Sequence, residues 1–330
     1  MELFLTTLQQ VAVLLIFIFV GYFLRKKEVI SESGKKDLAK LLANLFAPCY
    51  SAMSLSTIIN VKQIGQYLSL ILAGAAVTVF GVLISIVLTK PLTKDKLQRN
   101  ILIYALAFSN IGYFGYPVVA AIFGEVMRAQ MMMFCLPMSV AINTYGYHIL
   151  TSGVGQTEET PKFSQRISFL WKPPMLGFYA GVILGLLSSG LNFTLPKMLL
   201  DILSVAGQCQ SAPAMLITGA VLANVPFKQL FTSWRPYIVG AIRLLCLPLL
   251  MMGVFCLIRL CGASGAMFAL IFRLSVIVSA LPVGMNTVVY PESVGQDSTE
   301  GAKTCFMSYL LALGTMPLVF MLMETVVKIF

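Results

Sequence analysis

Charged residues are scarce in this chain: they make up 11% of its 330 residues, whereas hydrophobic residues make up 58%. A soluble domain of this size could not keep so much apolar surface away from water. The composition therefore excludes a soluble protein and predicts an all-α protein that crosses a lipid bilayer many times. The net charge of +10 does not indicate a nucleic-acid partner, because the basic residues fall in short loops between apolar runs, where they set membrane topology.

Sequence patterns of catalysis and of metal or cofactor binding are also missing. With one histidine the chain has no HExxH motif, and it has no GxGD, GxSxG or GxxxxGK[ST] motif either. The seven cysteines lie singly, without a CxxC pair, so we interpret them as small packing residues. We expect no enzymatic activity, no cofactor and no metal. The lone His148 is either a packed residue near a helix end or a proton carrier.

Acidic residues in the middle of apolar runs are absent as well. The acids closest to such runs lie at or near their ends: Glu125, Asp201, Glu292, Asp297 and Glu324. The lack of a mid-membrane Asp pair argues against a dedicated cation/proton exchanger. Asp297 is the acid best placed for ion coupling, although such a residue is more often a first-turn acid of a helix. Gln208 is a second candidate for ion coupling, and it could equally bridge two helices.

Apolar runs of roughly 20 residues predict ten transmembrane helices, called spans 1 to 10 here. They cover about 5–24, 36–57, 66–89, 100–123, 128–151, 174–191, 197–223, 237–259, 265–289 and 302–326. The longest connecting segment, 153–172, is a polar linker between a first half, 1–152, and a second half, 173–330. Span 1 has neither a basic segment before it nor a small-residue cleavage site after it, so we expect a retained helix rather than a signal peptide.

The basic residues predict the orientation. Of the 23 lysines and arginines, Arg243 and Arg273 lie inside spans. With the N-terminus outside, sixteen of the others fall in cytoplasmic segments. The remaining five fall in outer segments, namely Lys62, Arg128, Lys197, Arg259 and Lys328. Because positive charge accumulates in short cytoplasmic loops, we expect both termini outside and a location in the cytoplasmic (inner) membrane.

The two halves of the chain resemble each other in where their prolines lie. Pro48 in span 2 and Pro213 in span 7 are 165 residues apart, and so are Pro117 in span 4 and Pro282 in span 9. Each half has five spans, an odd number, so the second half must enter the membrane upside down relative to the first. Such inverted repeats are typical of secondary transporters.

Spans 4 and 9 carry proline and glycine at their centres, which predicts two broken helices. The central sequences are SNIGYFGYP at 109–117 and SALPVGMN at 279–286. Proline removes a backbone donor and clashes with the preceding turn, so we expect the first helix to break or kink near 112–117. If the two breaks cross near the midplane, the half-helix ends attract an anionic group. The alternative is that the prolines only kink packed helices. The predicted substrate-binding residues are Asn110, Gly112, Gly115, Pro117, Pro282 and Asn286.

Two arginines lie inside apolar runs, where an ionisable side chain is a functional candidate. Arg273, in span 9, either binds the organic anion or pairs with a structural carboxylate. We interpret Arg243, two turns into span 8, as a side chain that snorkels to the membrane surface or pairs with a carboxylate. The spacing of Gly177, Gly181 and Gly185 in span 6 predicts close packing against another helix.

Together these features resemble the auxin efflux carrier family, which includes plant auxin exporters and bacterial permeases for malate and other organic acids. The resemblance rests on the motif Asn110-x-Gly112-x-x-Gly115-x-Pro117, on Pro282 with Asn286, on Asn143, and on ten spans divided five and five. The chain lacks the long central loop of many plant members, so it is similar to a compact prokaryotic member.

The resemblance implies a fold related to sodium/proton antiporters and bile acid symporters. Spans 1, 2, 6 and 7 would form a scaffold, through which two copies form a homodimer, and spans 3–5 and 8–10 would form a mobile transport domain. It also implies that Asn110 and Asn143 help bind substrate beside the crossed Pro117 and Pro282. We expect a secondary carrier of small organic anions, above all carboxylates, that works by alternating access. The alternatives are a sodium-coupled symporter of the same fold and, in another class, a ligand-sensing receptor or a channel.

Overall fold

The computed structural model describes residues 2–151, 168–171, 173–226, 228, 231, 233–293 and 299–328. Most of the expected linker, 153–172, lies outside these residues, and so does Asp297. Within them the chain is helical, with no β-strand and with one isolated antiparallel bridge between Ser109 and Val283. The all-α prediction is therefore confirmed for the described part of the chain.

The helices follow one another with short connections. They are α1 (Glu2–Lys26), α2 (Glu32–Leu41), α3 (Ala47–Ser56), α4 (Ile64–Thr89), α5 (Lys96–Ala107), α6 (Tyr116–Phe134), α7 (Leu136–Ala141), α8 (Tyr147–Thr151), α9 (Pro173–Leu191), α10 (Lys197–Gln208), α11 (Ser211–Leu222), α12 (Arg235–Ala241), α13 (Leu247–Leu260), α14 (Ala266–Ala280), α15 (Asn286–Ser293) and α16 (Thr299–Val327). Some are joined by π-helical stretches, which are Leu42–Phe46, Ile111–Gly115, Ile142–Gly146 and Ile242–Cys246. Gly124 divides α6 into two helices, because its φ of 85° is a conformation that only glycine adopts readily.

Several of these helices have the length and composition of membrane spans. Among the described residues there are five: Glu2–Lys26, Val61–Thr89, Ile111–Phe134, Arg235–Leu260 and Thr299–Val327. Met175–Leu191 and Ala266–Ala280 are shorter apolar helices. The surface of these helices carries many large apolar side chains. Leu72 and Leu83, for example, have exposed fractions of 62% and 59%. So many exposed apolar side chains on long helices fit contact with lipid, and the molecule is a multi-pass membrane protein.

Three of the π-helical stretches have a proline two residues after their last residue: Pro48, Pro117 and Pro248. Proline has no backbone donor, and its ring crowds the carbonyl four residues earlier. The residue before Pro117 instead donates its N–H to the carbonyl of Ile111, five residues earlier. The helix widens at this point and continues. The sequence predicts a break or a kink near 112–117, and the structure has a π-helical distortion there without a break.

Span 4 breaks one turn earlier, between α5 and the stretch Ile111–Gly115. Phe108 is extended, with φ −117° and ψ 122°, and Asn110 has φ −77° and ψ 73°. Serine and asparagine favour the position before a helix, because their side chains accept hydrogen bonds from free backbone N–H groups. The Asn110 side chain accepts from the N–H of Tyr113 at 3.3 Å. The dipeptide Ser109-Asn110 is thus the sequence signal for this break.

The break in span 9 lies where the sequence predicts it. Helix α14 ends at Ala280 and α15 begins at Asn286, with Pro282 between them.

The small-residue spacing in α9 serves close packing, as predicted. A Cβ on Gly181 would lie 2.9 Å from the Cα of Ala52, and one on Gly185 would lie 2.8 Å from the Cβ of Ile59. Such distances are shorter than real Cβ contacts, so the backbone of α9 approaches α3 as closely as a glycine permits.

Candidate functional site

The two helix breaks contact each other through their backbones. The N–H of Asn110 donates to the carbonyl of Pro282 at 2.9 Å, and the N–H of Gly284 donates to the carbonyl of Phe108 at 3.2 Å. As a result, four helix ends meet at one place. Two are the C-terminal ends of α5 and α14, and two are the N-terminal ends of the stretch at Ile111 and of α15.

The side chain of Arg243 binds both C-terminal helix ends. Arg243 is 3% exposed. On the α5 side its Nη1 donates to the carbonyl of Leu106 at 2.6 Å. On the α14 side its Nη2 donates to the carbonyl of Val278 and its Nε to that of Leu281, both at 3.2 Å. Nη2 also contacts the hydroxyl of Ser109.

The charge of Arg243 therefore compensates helix dipoles. The C-terminal end of a helix carries partial negative charge, and two such ends lie against one guanidinium here. All four partners of Arg243 are uncharged groups. The interpretation that Arg243 snorkels to the surface or pairs with a carboxylate is wrong. The sequence signal for this role is an arginine deep in an apolar run with no mid-membrane acid to pair with.

A cavity of about 210 Å³, called the central cavity below, lies beside the crossing. The cavity is lined by the first three residues after the span 4 break, which are Ile111, Gly112 and Tyr113. These residues are the N-terminal end of a helix, which carries partial positive charge. The N–H groups of Ile111 and Tyr113 donate to Ser109 and Asn110, so the charge of the helix end is what this wall offers a ligand. The other lining residues are Ala47, Tyr50, Ser51, Tyr116, Met132, Leu136, Ser139, Asn143, Met175, Phe178 and Gln210. None of the described residues around this cavity is acidic.

Two amides add polar groups to the mainly apolar wall. Gln210 donates from Nε2 to the carbonyl of Gly112 at 3.2 Å, and its Oε1 is buried without a partner. Asn143 donates from Nδ2 to the carbonyl of Ser139 at 2.8 Å, and its Oδ1 accepts from the hydroxyl of Tyr290 at 3.3 Å. A small ligand in this cavity would meet a helix N-terminus and two amides within a largely apolar enclosure. This combination suits one polar or charged head on an apolar body.

The predicted substrate-binding residues divide into two groups. Gly112 and Asn143 line the central cavity. Asn110 is 4% exposed, and its Nδ2 donates to the hydroxyl of Tyr309 at 2.6 Å, so it holds the crossing together instead of facing the cavity. The side chain of Asn286 donates to the hydroxyl of Tyr104 at 3.2 Å, and this bond likewise connects the two sides of the crossing.

The prolines and Gly115 also belong to the framework of the crossing. Pro282 supplies the carbonyl that accepts from Asn110, and Pro117 lies in the first turn of α6. A Cβ on Gly115 would lie 2.5 Å from Cδ1 of Leu281, so a larger residue would displace the Leu281 side chain at the crossing.

Two other predicted residues lie elsewhere. Arg273 forms a bidentate ion pair with Glu324, in which its Nε and Nη2 donate to Oε1 and Oε2 at 2.8 and 2.9 Å. Its guanidinium therefore binds a structural carboxylate and does not lie at the crossing. Gln208 donates to the hydroxyl of Ser204 at 2.9 Å and lines a second cavity. Gln210, two residues further on, is the amide that reaches the central cavity. Spacing alone does not tell which of the two amides faces inward, because a turn separates α10 from α11.

Comparisons of the sequence with known proteins identify a family of membrane transporters. A family model described as "Membrane transport protein" matches residues 6–320. An uncharacterized transporter of Methanothermobacter thermautotrophicus is 24% identical over 319 residues, which are 96% of this chain and 98% of the relative. An uncharacterized transporter of Methanocaldococcus jannaschii is 24% identical over 222 residues, which are 66% of this chain and 70% of the relative. The family match spans nearly the whole chain, including both helix breaks and the central cavity. The chain therefore belongs to the membrane transport protein family, also known as the auxin efflux carrier family.

Proposed function

We propose that this protein is a secondary carrier of small organic anions, above all carboxylates, and that the anion binds in the central cavity. The balance of charge at the crossing supports this proposal. Arg243 compensates the two negative helix ends. The positive end that begins at Ile111 opens into the cavity, and no acid among the described lining residues opposes it. A carboxylate is the kind of group that such an end attracts.

The proposed architecture is that of ten spans in two inverted five-helix repeats. The repeat accounts for matched features in the described chain: Pro48 and Pro213 both lie in the first turns of the second parts of interrupted spans, α3 and α11. The central cavity lies between span 2, 6 and 7 residues on one side and span 4 and 5 residues on the other. Alternating access would follow from movement of one group against the other. Spans 1, 2, 6 and 7 would form the scaffold and the homodimer interface, with both termini outside the inner membrane.

The direction of net transport follows from the membrane potential. An inward-negative potential opposes the entry of a monoanion by roughly 2.3 kcal/mol per 100 mV. Net movement without coupling is therefore expected to be outward, and uptake would require a coupled ion.

Counterflow in proteoliposomes tests the proposal. Vesicles loaded with succinate, lactate or benzoate are diluted into trace radiolabelled anion, with and without sodium and pH gradients. A carrier gives transient, saturable accumulation of label, whereas a channel gives none. The absence of counterflow for every anion in an extended panel of mono-, di- and aromatic carboxylates would contradict the proposal.

A pair of glycine substitutions tests the position of the site. A Cβ on Gly112 would meet nothing within 4 Å, and Gly112 lines the central cavity, so Gly112→Leu places an apolar side chain on the cavity wall. We expect it to abolish counterflow while thermal stability stays within about 1 kcal/mol of wild type. Gly253→Leu is the matched control, because a Cβ there also meets nothing within 4 Å and Gly253 does not line the cavity. Normal counterflow in Gly112→Leu would refute the placement of the site.

A further inference from the structure

A second cavity of about 300 Å³ lies next to the central cavity. It is found where spans 4 and 5 join at Gly124, and α3 and α10 complete it. Its lining residues are Tyr50, Met53, Thr57, Ile58, Glu125, Val126, Arg128, Leu203, Ser204, Gly207 and Gln208. Tyr50 lines both cavities. This one residue therefore lies between the site at the crossing and the cavity at the Gly124 end.

The cation of this second cavity is Arg128, which is only 9% exposed. One face of its guanidinium lies on the ring of Tyr50, with Cζ 4.4 Å from the ring centroid. One Nη pairs with Glu125, three residues earlier on the same helix. Its Nε is buried without a hydrogen-bond partner, and so is the hydroxyl of Tyr50. Two buried polar groups without hydrogen-bond partners therefore belong to residues that line a cavity large enough for a small polar ligand.

The ion pair of Arg128 with Glu125 is unequal in its exposure. The Glu125 side chain is 58% exposed and the Arg128 side chain 10%. When the ion pair opens, water can therefore solvate the carboxylate of Glu125. The buried guanidinium of Arg128 stays out of reach of bulk water and needs another anion as its partner. A guanidinium offers several donors in one plane and binds carboxylates through two parallel hydrogen bonds. An incoming carboxylate can take the place of Glu125 and also engage the free Nε.

We propose that the second cavity is a binding site for small carboxylates, in which Arg128 holds the anion, Glu125 competes with it, and Tyr50 separates it from the central cavity. Binding at Arg128 does not depend on the proposed function. The further statement that this anion is the transported solute on its way to the crossing does rest on it. The backbone at Tyr50 packs closely on α10, because a Cβ on Gly207 would lie 2.9 Å from its Cα. A connection between the two cavities would therefore require a rotation of the Tyr50 side chain.

The two charged residues predict effects of opposite sign. Arg128→Gln removes the cation, so the half-saturating concentration of the anion should rise at least tenfold. Glu125→Gln removes the internal competitor and keeps the shape, so that concentration should fall several-fold. A pair that only stabilises the helix start would lose thermal stability in both variants without moving half-saturation in opposite directions. A gain of affinity in Glu125→Gln cannot arise from misfolding.

The experiment is a thermal-unfolding titration in detergent, with succinate, lactate and benzoate each raised at constant ionic strength. Ligand binding to the folded state raises the unfolding midpoint in proportion to RT ln(1 + [L]/Kd). All titrations are made in the Gly112→Leu background, where the central cavity is filled, so that the remaining shift reports the second cavity. The three proteins compared are this background alone, with Arg128→Gln, and with Glu125→Gln.

We expect the anion to raise the unfolding midpoint of the background protein. With Glu125→Gln the same rise should occur at a lower anion concentration, and with Arg128→Gln the rise should be weak or absent. Equal half-saturation in all three proteins, or no shift with any of the three anions up to 50 mM, would overturn the inference. Counterflow in the wild type separates the two claims. If counterflow occurs but the charge variants titrate alike, the second site is wrong and the carrier proposal stands. If the variants diverge as expected but the wild type transports none of the anions, the carrier proposal fails and the binding site stands.

Discussion

Replacing Arg243 by methionine tests the central feature of the crossing. Methionine has a similar length and no donors, so the change removes the cation and leaves the carbonyls of Leu106 and Leu281 without their donor. The carbonyl of Val278 keeps the hydroxyl of Ser109 as a donor at 2.6 Å. A buried cation at a helix C-terminus contributes up to about 2 kcal/mol, and two C-terminal ends lie against Arg243, which gives about 4 kcal/mol. Hydrogen bonds from a charged donor are worth about 1.5–3 kcal/mol each, so two lost bonds give a value of the same size by an independent route.

Arg273→Met is the matched control, because it makes the same substitution in another span. The partner of Arg273 is Glu324, and the two side chains are 31% and 27% exposed. Glu324 lies in the last turn of α16, close enough to the end of the helix to reach water when its partner is removed. A partly exposed pair of this kind is worth about 1 kcal/mol or less.

Thermal unfolding of the purified protein, followed by intrinsic fluorescence, compares the two variants. With a change of about 2 °C per kcal/mol, Arg243→Met should lower the midpoint by roughly 8 °C or prevent folding, and Arg273→Met should lower it by about 2 °C. Arg243→Lys keeps the charge with fewer donors, so its unfolding midpoint should lie between those of Arg243→Met and Arg273→Met. Equal midpoints for the two methionine variants would refute the assignment of Arg243 to the helix ends.

Two further predictions concern the packing around the site. Gly181→Leu should destabilise the protein by at least about 1–3 kcal/mol, because its side chain would enter the backbone of α3 at Ala52, whereas Gly253→Leu should leave the unfolding midpoint unchanged. A normal midpoint in Gly181→Leu would show that α9 and α3 do not pack as described. Tyr309→Phe removes the acceptor of the Asn110 side chain, which leaves a buried donor unpaired at a cost of about 1–3 kcal/mol. The unfolding midpoint of Tyr309→Phe should therefore fall. Phe306→Leu, which changes apolar volume in the same helix, is the control. An unchanged unfolding midpoint in Tyr309→Phe would contradict the role of Asn110 in holding the crossing.

Much of the framework follows from the sequence alone, because it depends on local chemistry. The scarcity of charge and the long apolar runs indicate a multi-pass membrane protein without reference to any contact. The break at Pro282 and the close packing of Gly181 are likewise properties of single segments. The misplaced break in span 4 has a local cause too. A helix can accommodate proline by widening, whereas the capping pair Ser109-Asn110 begins a new helix and so marks the break.

Only the tertiary structure decides which groups meet. A sequence shows that Arg243 is an arginine in an apolar run, but its partners come from α5 and α14, which lie far from it along the chain. The choice of Gln210 over Gln208 depends on a turn that sets the direction of α11, and the pairing of Tyr50 with Arg128 joins two different spans. Hydrophobic periodicity gives the face of a helix that avoids water. In a protein surrounded by lipid it does not distinguish the face that lines a cavity from the face that packs, so the site is defined by the packing itself.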